Sequence, residues 1–274
     1  MTPALALING KADPCISPLD RAAMYGDGVF RTLKMLSGKP LAWDIHYRKL
    51  ASDCAALFLP CPTEAEFIND IQCLFAAHGD GVIKLVISRG VGQRGYAQPD
   101  PLIPTRMAIH SPLPIYPADY AVNGVKVRVC DLRLSAQPLL AGIKHLNRLE
   151  NVLARLEWDD PDIAEGLLLD AGGSVVEGTM SNLFAYAGGE LFTPDLSCCG
   201  VAGVQRERIM FLAETLGIKL VVGSLKVESL LAAQELFLCN SVIDIWPIRQ
   251  LQEKIWAPGH LTHQLREMLR KLDD

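Results

Sequence analysis

The chain has 274 residues, of which 50% are hydrophobic and 21% are charged, as in an ordinary globular protein with a large core. Its formal net charge of -5 argues against a broad basic surface for nucleic acid. The sequence contains no uncharged apolar window of about 18 or more residues, so we expect no membrane partner and no membrane span.

The N-terminal sequence MTPALALINGKADP lacks the basic segment, long apolar run and cleavage site of a secretory signal peptide. The eight cysteines include no C-x-x-C pair, and most lie in apolar patterns where a thiol packs as a small hydrophobic group. These features predict a cytoplasmic protein with reduced cysteines. The six scattered histidines suggest no three-ligand cluster, so we predict no metal site.

In the first half of the chain, residue periodicity predicts a compact set of strands and helices. In chain order these are a strand at 4–8, a hairpin of 29–35 and 41–43, a helix capped by Asp44, a helix from Thr63 to Gly79, and strands at 82–88 and 106–110. Glu66 follows Thr63 at the spacing of a capping box.

The proline-rich stretch SPLPIYP, residues 111–117, is the best candidate for a linker. We therefore predict a smaller N-terminal α/β domain at 1–112, a linker at 113–121 and a larger C-terminal α/β domain at 122–274. The patterns after the linker predict a strand at 125–132, a helix from Leu146, hairpins at 167–176 and 183–192, a helix at 204–217, a strand at 236–239 and a helix from Leu261. Because strands and helices mix without strict alternation, we predict an α+β fold with mixed sheets.

Residues 90–95, GVGQRG, match the G-x-G-x-x-G spacing of a dinucleotide-binding turn. That mechanism needs a helix to begin at the glycines, whereas Pro99 and Pro101 oppose one. We predict instead a flexible loop that presents Arg94 and Tyr96.

One lysine stands at a predicted strand-to-helix junction, in the stretch AGIKHLNRLENVLAR at 141–155. Lys144 follows a small Ala-Gly pair and is flanked by Ile143. A solvated surface lysine is the ordinary interpretation. The alternative is a nucleophile, or a lysine that forms a Schiff base with an aldehyde cofactor.

A pyridoxal-phosphate site also needs a carboxylate at the pyridine nitrogen and a phosphate cradle. Glu177, at the end of a predicted strand, could be the carboxylate or a surface turn residue. Residues 200–206 form a glycine-bearing loop that opens a predicted helix and could hold a phosphate. Further candidates, each with an ordinary structural alternative, are Arg48, Asn240 and Ser241.

Several blocks in one order resemble the fold-type IV pyridoxal-phosphate enzymes, which include branched-chain and D-amino-acid aminotransferases and 4-amino-4-deoxychorismate lyase. The blocks are RAAMYGDGVFRTLKMLSGKP with HYRKL, GIKHLNRLENVLAR, GSVVEGTMSNLF, GVAGVQRERI and CNSVIDIWPI. The resemblance covers nearly the whole chain. It implies a two-domain architecture with mixed sheets and flanking helices, and pyridoxal 5′-phosphate as cofactor.

The resemblance also implies roles for individual residues. Lys144 looks like the Schiff-base lysine, carried by the larger domain, and Glu177 looks like the partner of the pyridine nitrogen. Arg48 looks like the phosphate arginine. Val204 and Gln205 match the loop whose backbone amides hold the phosphate.

Other matching positions lie toward the substrate. Asn240 and Ser241 match the segment that closes the phosphate and substrate side, and we interpret Arg94 as a ligand for a substrate carboxylate. The residues expected at the substrate are Phe30, Thr32, Arg94 and Tyr96.

Within the family, the stretches SRGVGQRGY, KHLNRLE and CNS resemble the lyases most. We therefore expect elimination of pyruvate from 4-amino-4-deoxychorismate to give 4-aminobenzoate, in a homodimer. An aminotransferase for D- or branched-chain amino acids is the alternative, and a cofactor-free binding protein of the same fold is a third. The pair Gln205-Arg206 departs from the threonine-arginine of many aminotransferases, which leaves open whether a backbone or a side-chain group contacts the phosphate.

Overall fold

The computed structural model describes residues 6–12, 15–75 and 79–273, which divide into two compact units. The first comprises the described residues up to Ile115 together with Ile143–Asn147. The second comprises Tyr116–Gly142 and the described residues from Arg148 onward. Strands and helices occur in both, so the predicted α+β class is confirmed.

The described residues of the first unit form an antiparallel sheet of five strands and three helices. The strand order is β1-β5-β4-β2-β3. The elements are β1 (Ala6–Ile8), α1 (Arg21–Tyr25), β2 (Gly28–Leu36), β3 (Lys39–Pro40), α2 (Trp43–Ala56), α3 (Glu64–Phe75), β4 (Gly81–Ser88) and β5 (Thr105–Ser111).

The sheet of the first unit has one buried face because β2 alternates. Val29, Leu33 and Met35 are fully buried against α2 and α3, whereas Phe30 and Thr32 face the other way and are half-buried. The alternation predicted from the sequence therefore separates a core face from a face available to a site.

Helix α3 begins as its sequence predicts. The Thr63 N–H donates to Glu66 Oε2 (2.8 Å), and the Glu66 N–H donates to Thr63 Oγ1 (3.4 Å). This reciprocal pair is the predicted capping box. Residues 4 and 5, where the first strand is predicted to begin, lie outside the described residues. Residues 76–78, just before the predicted helix end at Gly79, also lie outside them.

The described residues of the second unit form a mixed sheet of nine strands with five helices. The order is β11-β10-β9-β12-β13-β6-β7-β8, and β14 pairs with β13. The elements are α4 (Asp119–Val122), β6 (Val125–Leu134), α5 (Leu149–Arg155), β7 (Ile163–Asp170), β8 (Val175–Gly178), β9 (Asn182–Ala187), β10 (Glu190–Pro194), α6 (Val204–Thr215), β11 (Lys219–Gly223), α7 (Val227–Ala232), β12 (Glu235–Asn240), β13 (Asp244–Leu251), β14 (Lys254–Ile255) and α8 (His260–Asp273).

Apolar clusters pack against this sheet. Phe184 and Phe237, on neighbouring strands, stack with ring centroids 5.1 Å apart and pack with residues of α6 and α8. The predicted hairpins are confirmed as β7–β8 and β9–β10. Gly188 and Gly189 have φ of 60° and 85°, the left-handed conformation that a two-residue hairpin turn requires.

The lysine-bearing segment Ile143–Asn147 groups with the first unit rather than with the second, where the sequence analysis places it. The reason is backbone pairing with β2. The Phe30 N–H donates to the Lys144 carbonyl (2.9 Å), and the Leu146 N–H donates to the Gly28 carbonyl (2.9 Å). This ladder also explains why the predicted helix start at Leu146 is wrong, since α5 begins only at Leu149.

Two smaller predictions about the first unit are also wrong. The return strand of the hairpin is Lys39–Pro40, because Trp43 already begins α2. Asp44 does not cap α2. The N-cap is Ala42, in the left-handed region with φ of 50°, and Asp44 lies in the first turn.

Two further features concern the cysteines and the helices. All eight cysteines belong to the described residues, and none of them forms a disulfide. Within the described part of the chain, no helix combines the length and apolar character needed to cross a membrane.

Candidate active site

Lys144 lies beside an aromatic ring in the first unit. Its Nζ is 4.6 Å from the centroid of the Phe30 ring, and Lys84 Nζ is 4.7 Å from the same centroid. Thr32 shares this face of β2, opposite Lys84 in the β2–β4 register. Lys144 itself is half-buried. The structure therefore brings together three of the predicted residues, Lys144, Phe30 and Thr32, and adds a second amine.

The backbone of Lys144 is fixed by a carboxylate that the sequence analysis did not identify. The Lys144 N–H donates to Asp53 Oδ2 (3.2 Å), and the same oxygen accepts a hydrogen bond from the buried Arg31. Burial raises the pKa of Asp53, and the Arg31 charge and the Lys144 N–H partly oppose this. A charged residue at an inward position of β2 was the available signal for Arg31.

Other predicted residues of the first unit lie on exposed surface. Arg48 projects from α2, and Arg94 and Tyr96 belong to the loop between β4 and β5. No helix occurs at residues 89–104, all of which the structure describes, so the dinucleotide-binding interpretation is excluded as predicted.

In the second unit, Glu177 is 3% exposed and faces the loop that leads into α6. Its Oε2 accepts a hydrogen bond from the Val201 N–H (2.8 Å). Gly200, with φ of 86°, allows this approach, because a Cβ there would lie 2.7 Å from Val176 Cγ1 and 2.8 Å from Leu196 Cδ2. The sequence GVAG thus places a tight loop directly against the predicted carboxylate.

The start of α6 is held by Asn182. Its Nδ2 donates to the Val201 carbonyl (2.8 Å), and its Oδ1 accepts from the Gly203 N–H (3.1 Å). Gly203 is the N-cap, and Val204 and Gln205 follow it, both almost fully buried. The first N–H groups of a helix have no carbonyl partner within it, and they favour an anion.

The Gln205 side chain is engaged away from this helix end. Its Oε1 accepts a hydrogen bond from Arg208 Nη1 (3.1 Å), and Arg208 also pairs with Asp273 Oδ1 (2.6 Å) at the end of α8. Because this side chain is already engaged, the backbone N–H of Gln205 is the group that a phosphate at the helix start could contact.

Asn240 closes the turn between β12 and β13. Its Oδ1 accepts from the N–H groups of Val242 (2.8 Å) and Ile243 (2.9 Å), and its Nδ2 donates to the Met180 carbonyl (3.1 Å). Ser241 lies in this turn and is half-buried. The Asn240 turn is thus tied to the turn that follows Glu177.

The turn after Glu177, residues 178–181, is organised by the buried carboxylate of Glu165. That carboxylate accepts hydrogen bonds from Thr179, Met180 and Ser181. Glu165 was missed by sequence reasoning, although an acid inside the apolar strand IAEGLLLD is an unusual pattern.

Within the second unit, the structure therefore connects all five predicted cofactor residues. Glu177 contacts the loop before α6, and the Asn240 turn contacts residues 178–181. The members of this set are Glu177, Val204, Gln205, Asn240 and Ser241.

Comparison with known proteins gives a consistent result over nearly the whole chain. The family described as Amino-transferase class IV matches residues 28–251. The crystal structure of 4-amino-4-deoxychorismate lyase from Pseudomonas aeruginosa is 44% identical, with a TM-score of 0.94, and the match covers 97% of this chain and 98% of that one.

Two curated relatives represent both activities weighed from the sequence. An aminodeoxychorismate lyase of Vibrio harveyi is 33% identical over 263 residues, covering 94% of this chain and 97% of the relative. A putative branched-chain-amino-acid aminotransferase of Methanocaldococcus jannaschii is 30% identical over 275 residues, covering 97% and 95%.

Proposed function

This chain belongs to the class IV aminotransferase family, and from that membership we propose that it is a pyridoxal-phosphate-dependent 4-amino-4-deoxychorismate lyase. The observation that carries the proposal is 44% identity, over 97% of the chain, with the Pseudomonas aeruginosa lyase. The reaction eliminates pyruvate and leaves 4-aminobenzoate, a precursor of folate. We propose that the enzyme acts in the cytoplasm, where free thiols such as its eight cysteines stay reduced.

The described residues fit pyridoxal 5′-phosphate, the cofactor of fold-type IV enzymes. Glu177 is a buried carboxylate suited to the pyridine nitrogen, and the backbone of Val204 and Gln205 at the start of α6 suits the phosphate. Lys144 would bind the aldehyde carbon. Arg48 would neutralise negative charge on the phosphate. Asn240 and Ser241 would close the phosphate and substrate side of the site.

When bound, the cofactor stabilises negative charge that develops at the substrate carbon next to the amine. After the substrate amine displaces Lys144 from the aldehyde carbon, Lys144 Nζ would remove the proton from C4 of the substrate. The bond from the neighbouring ring carbon to the enolpyruvyl oxygen would break, which leaves an aromatic ring, and protonation would convert the leaving group to pyruvate. Glu177 would hold a proton on the pyridine nitrogen of the bound cofactor. Arg94 binds a substrate carboxylate, next to Tyr96, and Phe30 and Thr32 contribute one wall.

The decisive assay measures pyruvate release from 4-amino-4-deoxychorismate without any keto-acid acceptor. The lyase requires no acceptor, whereas an aminotransferase, which the Methanocaldococcus relative keeps as the second candidate, transfers the amino group to 2-oxoglutarate. We expect pyruvate and 4-aminobenzoate in equal amounts. Amino transfer without acceptor-free pyruvate release would establish the second candidate.

Replacing Lys144 with alanine should abolish both turnover and the visible absorbance of the covalently bound coenzyme, because Lys144 is the proposed source of the reacting amine. Lys84→Ala is the matched control, since its amine lies against the same Phe30 ring. That control should retain the absorbance. A Lys144→Ala variant with full turnover would refute the assignment.

We also propose that the enzyme is a homodimer. Leu149, Val152, Leu153 and Leu156 lie at helical spacing on and just after α5, and all four are exposed in the single chain. A contiguous apolar helix face of this kind is typical of a protein interface. Its occupant is therefore proposed to be a second copy of this chain.

A further inference from the structure

A buried arginine holds the loop that carries Arg94. Arg21, the first residue of α1, is 5% exposed. Its Nη1 donates to the carbonyls of Gly95 (3.0 Å) and Ala97 (3.3 Å), and its Nη2 donates to the Tyr96 carbonyl (3.3 Å). One guanidinium therefore fixes three successive peptide groups immediately after Arg94.

The other end of this loop, residues 90–97, is held by the main chain of the same region. The Arg21 N–H donates to the Gly90 carbonyl (2.9 Å), and the Gly92 N–H donates to the Leu19 carbonyl (3.2 Å). Arg21 therefore contacts both ends of the loop, through its backbone at the start and its side chain at the end. Residues 90–97 are in this way connected to the N-terminus of α1.

The guanidinium of Arg21 is itself fixed by a carboxylate. Its Nε donates to Asp27 Oδ2 (2.8 Å), which also accepts from Arg89 Nε (2.9 Å). Burial acts to raise the pKa of Asp27, but the hydrogen bonds and charges of Arg89 and Arg21 outweigh it and lower that pKa. Asp27 thus stays ionised and keeps both arginines oriented.

Tyr25 supports the same loop from one turn further along α1. Its hydroxyl accepts a hydrogen bond from the Gly95 N–H (3.1 Å), and its ring lies 5.4 Å from the Tyr96 ring. The Arg21 guanidinium also lies over the Tyr25 ring, 4.9 Å from its centroid. The side chains of Arg94 and Tyr96 remain exposed, while the loop backbone is hydrogen-bonded to Arg21 and Tyr25 of α1.

We propose that Arg21 is a positioning residue that holds residues 90–97 in the conformation that binds the carboxylated substrate through Arg94. This inference rests on the proposed function for the identity of the substrate, but not for the state of the loop. If the loop adopts the binding conformation in only a fraction of the molecules, the apparent affinity for substrate is reduced in proportion to that fraction. Loss of Arg21 should therefore act on KM and not on the steps carried by Lys144.

The test uses Arg21→Gln, Arg21→Lys and Tyr25→Phe in the full chain loaded with pyridoxal 5′-phosphate. For Arg21→Gln we expect KM for 4-amino-4-deoxychorismate to rise at least about tenfold, with kcat and the coenzyme absorbance nearly unchanged. Lysine keeps the charge but not the planar fork, so Arg21→Lys should restore KM only in part. Tyr25→Phe removes one hydrogen bond and should raise KM by about threefold.

Limited proteolysis measures the loop without any substrate. Trypsin cleaves after Arg94, and the Gly95 carbonyl next to that bond is one that Arg21 holds. Cleavage there should be at least about tenfold faster in Arg21→Gln, because local opening exposes the bond. Arg133→Gln is the matched control, since Arg133 donates to three consecutive carbonyls in the other unit, and it should change neither rate nor KM.

The outcomes separate the two proposals. Unchanged KM and unchanged cleavage after Arg94 in Arg21→Gln would overturn the positioning role, even if the variant melts at a lower temperature. A wild-type protein that releases no pyruvate would refute the lyase function. In that case faster cleavage in Arg21→Gln would still support the fixed loop, and unchanged cleavage would still refute it.

Discussion

At the scale of single residues, the buried carboxylate of Glu165 accepts hydrogen bonds from several backbone and hydroxyl groups. It accepts from the N–H groups of Gly166 (2.9 Å), Thr179 (3.1 Å) and Met180 (3.1 Å), and from the hydroxyls of Thr179 and Ser181. The donors surround the turn between Glu177 and β9. The position of Glu177 therefore depends on a carboxylate that never needs to touch the cofactor.

Replacing Glu165 with glutamine should lower the free energy of unfolding by about 1–3 kcal/mol, since either amide orientation sets an NH2 group against a backbone N–H.

Burial raises the pKa of Glu165 above its ordinary value of 4.5, although its hydrogen bonds oppose this. The folded state then binds the proton more tightly than the unfolded state.

The sign of the pH dependence follows from that raised pKa. The stability of the wild type relative to Glu165→Gln should be greatest at low pH and should decrease as the pH rises from about 4.5 through the raised folded pKa. Urea denaturation of both proteins across this range measures the difference. Glu228→Gln, which makes the same substitution at an exposed position of the same unit, is the matched control. A difference that grows with pH would contradict the raised pKa.

Residue-level prediction from sequence is possible where a single position carries its own signal. Glu177, Val204 and Asn240 follow strand or loop patterns that can be recognised locally, and all three occupy connected places in the second unit. Asp53 and Arg21 could not be found this way. Asp53 contacts the backbone of Lys144, 91 positions away, and Arg21 contacts the Gly95 carbonyl, 74 positions away, and no local pattern encodes such pairs.

At the scale of elements, the start of α6 joins the glycine-bearing loop at 200–203 to the backbone amides of Val204 and Gln205. These two parts form the predicted phosphate cradle. Gly203 has φ of -66° and ψ of 153°, a conformation that any residue can adopt. Glycine is required here for space, because a Cβ would lie 2.3 Å from Asn182 Oδ1. Asn182 cannot yield easily, since it is buried and bonded to the carbonyl of Val201.

Gly203→Ala should therefore displace Asn182 and the first amides of α6, and weaken pyridoxal 5′-phosphate binding by about tenfold or more. Titration of the variant with the coenzyme, followed by absorbance, measures this change. Gly223→Ala is a suitable control, because nothing lies within 4 Å of the Cβ it would introduce. Equal affinity in both variants would show that the helix start does not hold the phosphate.

Element boundaries show where local periodicity is overridden. Thr63 and Glu66 start α3 as predicted because the capping box is a local interaction. Leu146 fits the apolar spacing of α5, yet it pairs with Gly28 of a distant strand, so the helix starts later. Hairpins and helices that depend on local interactions form as predicted. Residues whose backbone pairs with a distant strand do not adopt the structure that their apolar periodicity predicts.

At the scale of the whole molecule, the apolar spacing of α5 disagrees with the exposure of its leucines in the single chain. Its apolar spacing predicts a helix that packs on a core, but the side chains of Leu149 and Leu156 are 69% and 73% exposed. The buried residue of the helix is instead Ala154. In the proposed homodimer, this exposed face is the surface that a second copy of the chain would cover.

Val152→Glu combined with Leu156→Glu tests the proposed dimer, because it sets two charges into a surface expected to be desolvated. Loss of one interface anchor costs about 2 kcal/mol or more, so the dimer dissociation constant should rise at least about 30-fold. Sedimentation velocity over a dilution series measures it. Ile115→Glu, at a position 99% exposed in the first unit, serves as the control and should leave the dimer intact. A wild-type protein that sediments as a monomer at every concentration would refute the dimer. A double variant with wild-type affinity would place the interface elsewhere.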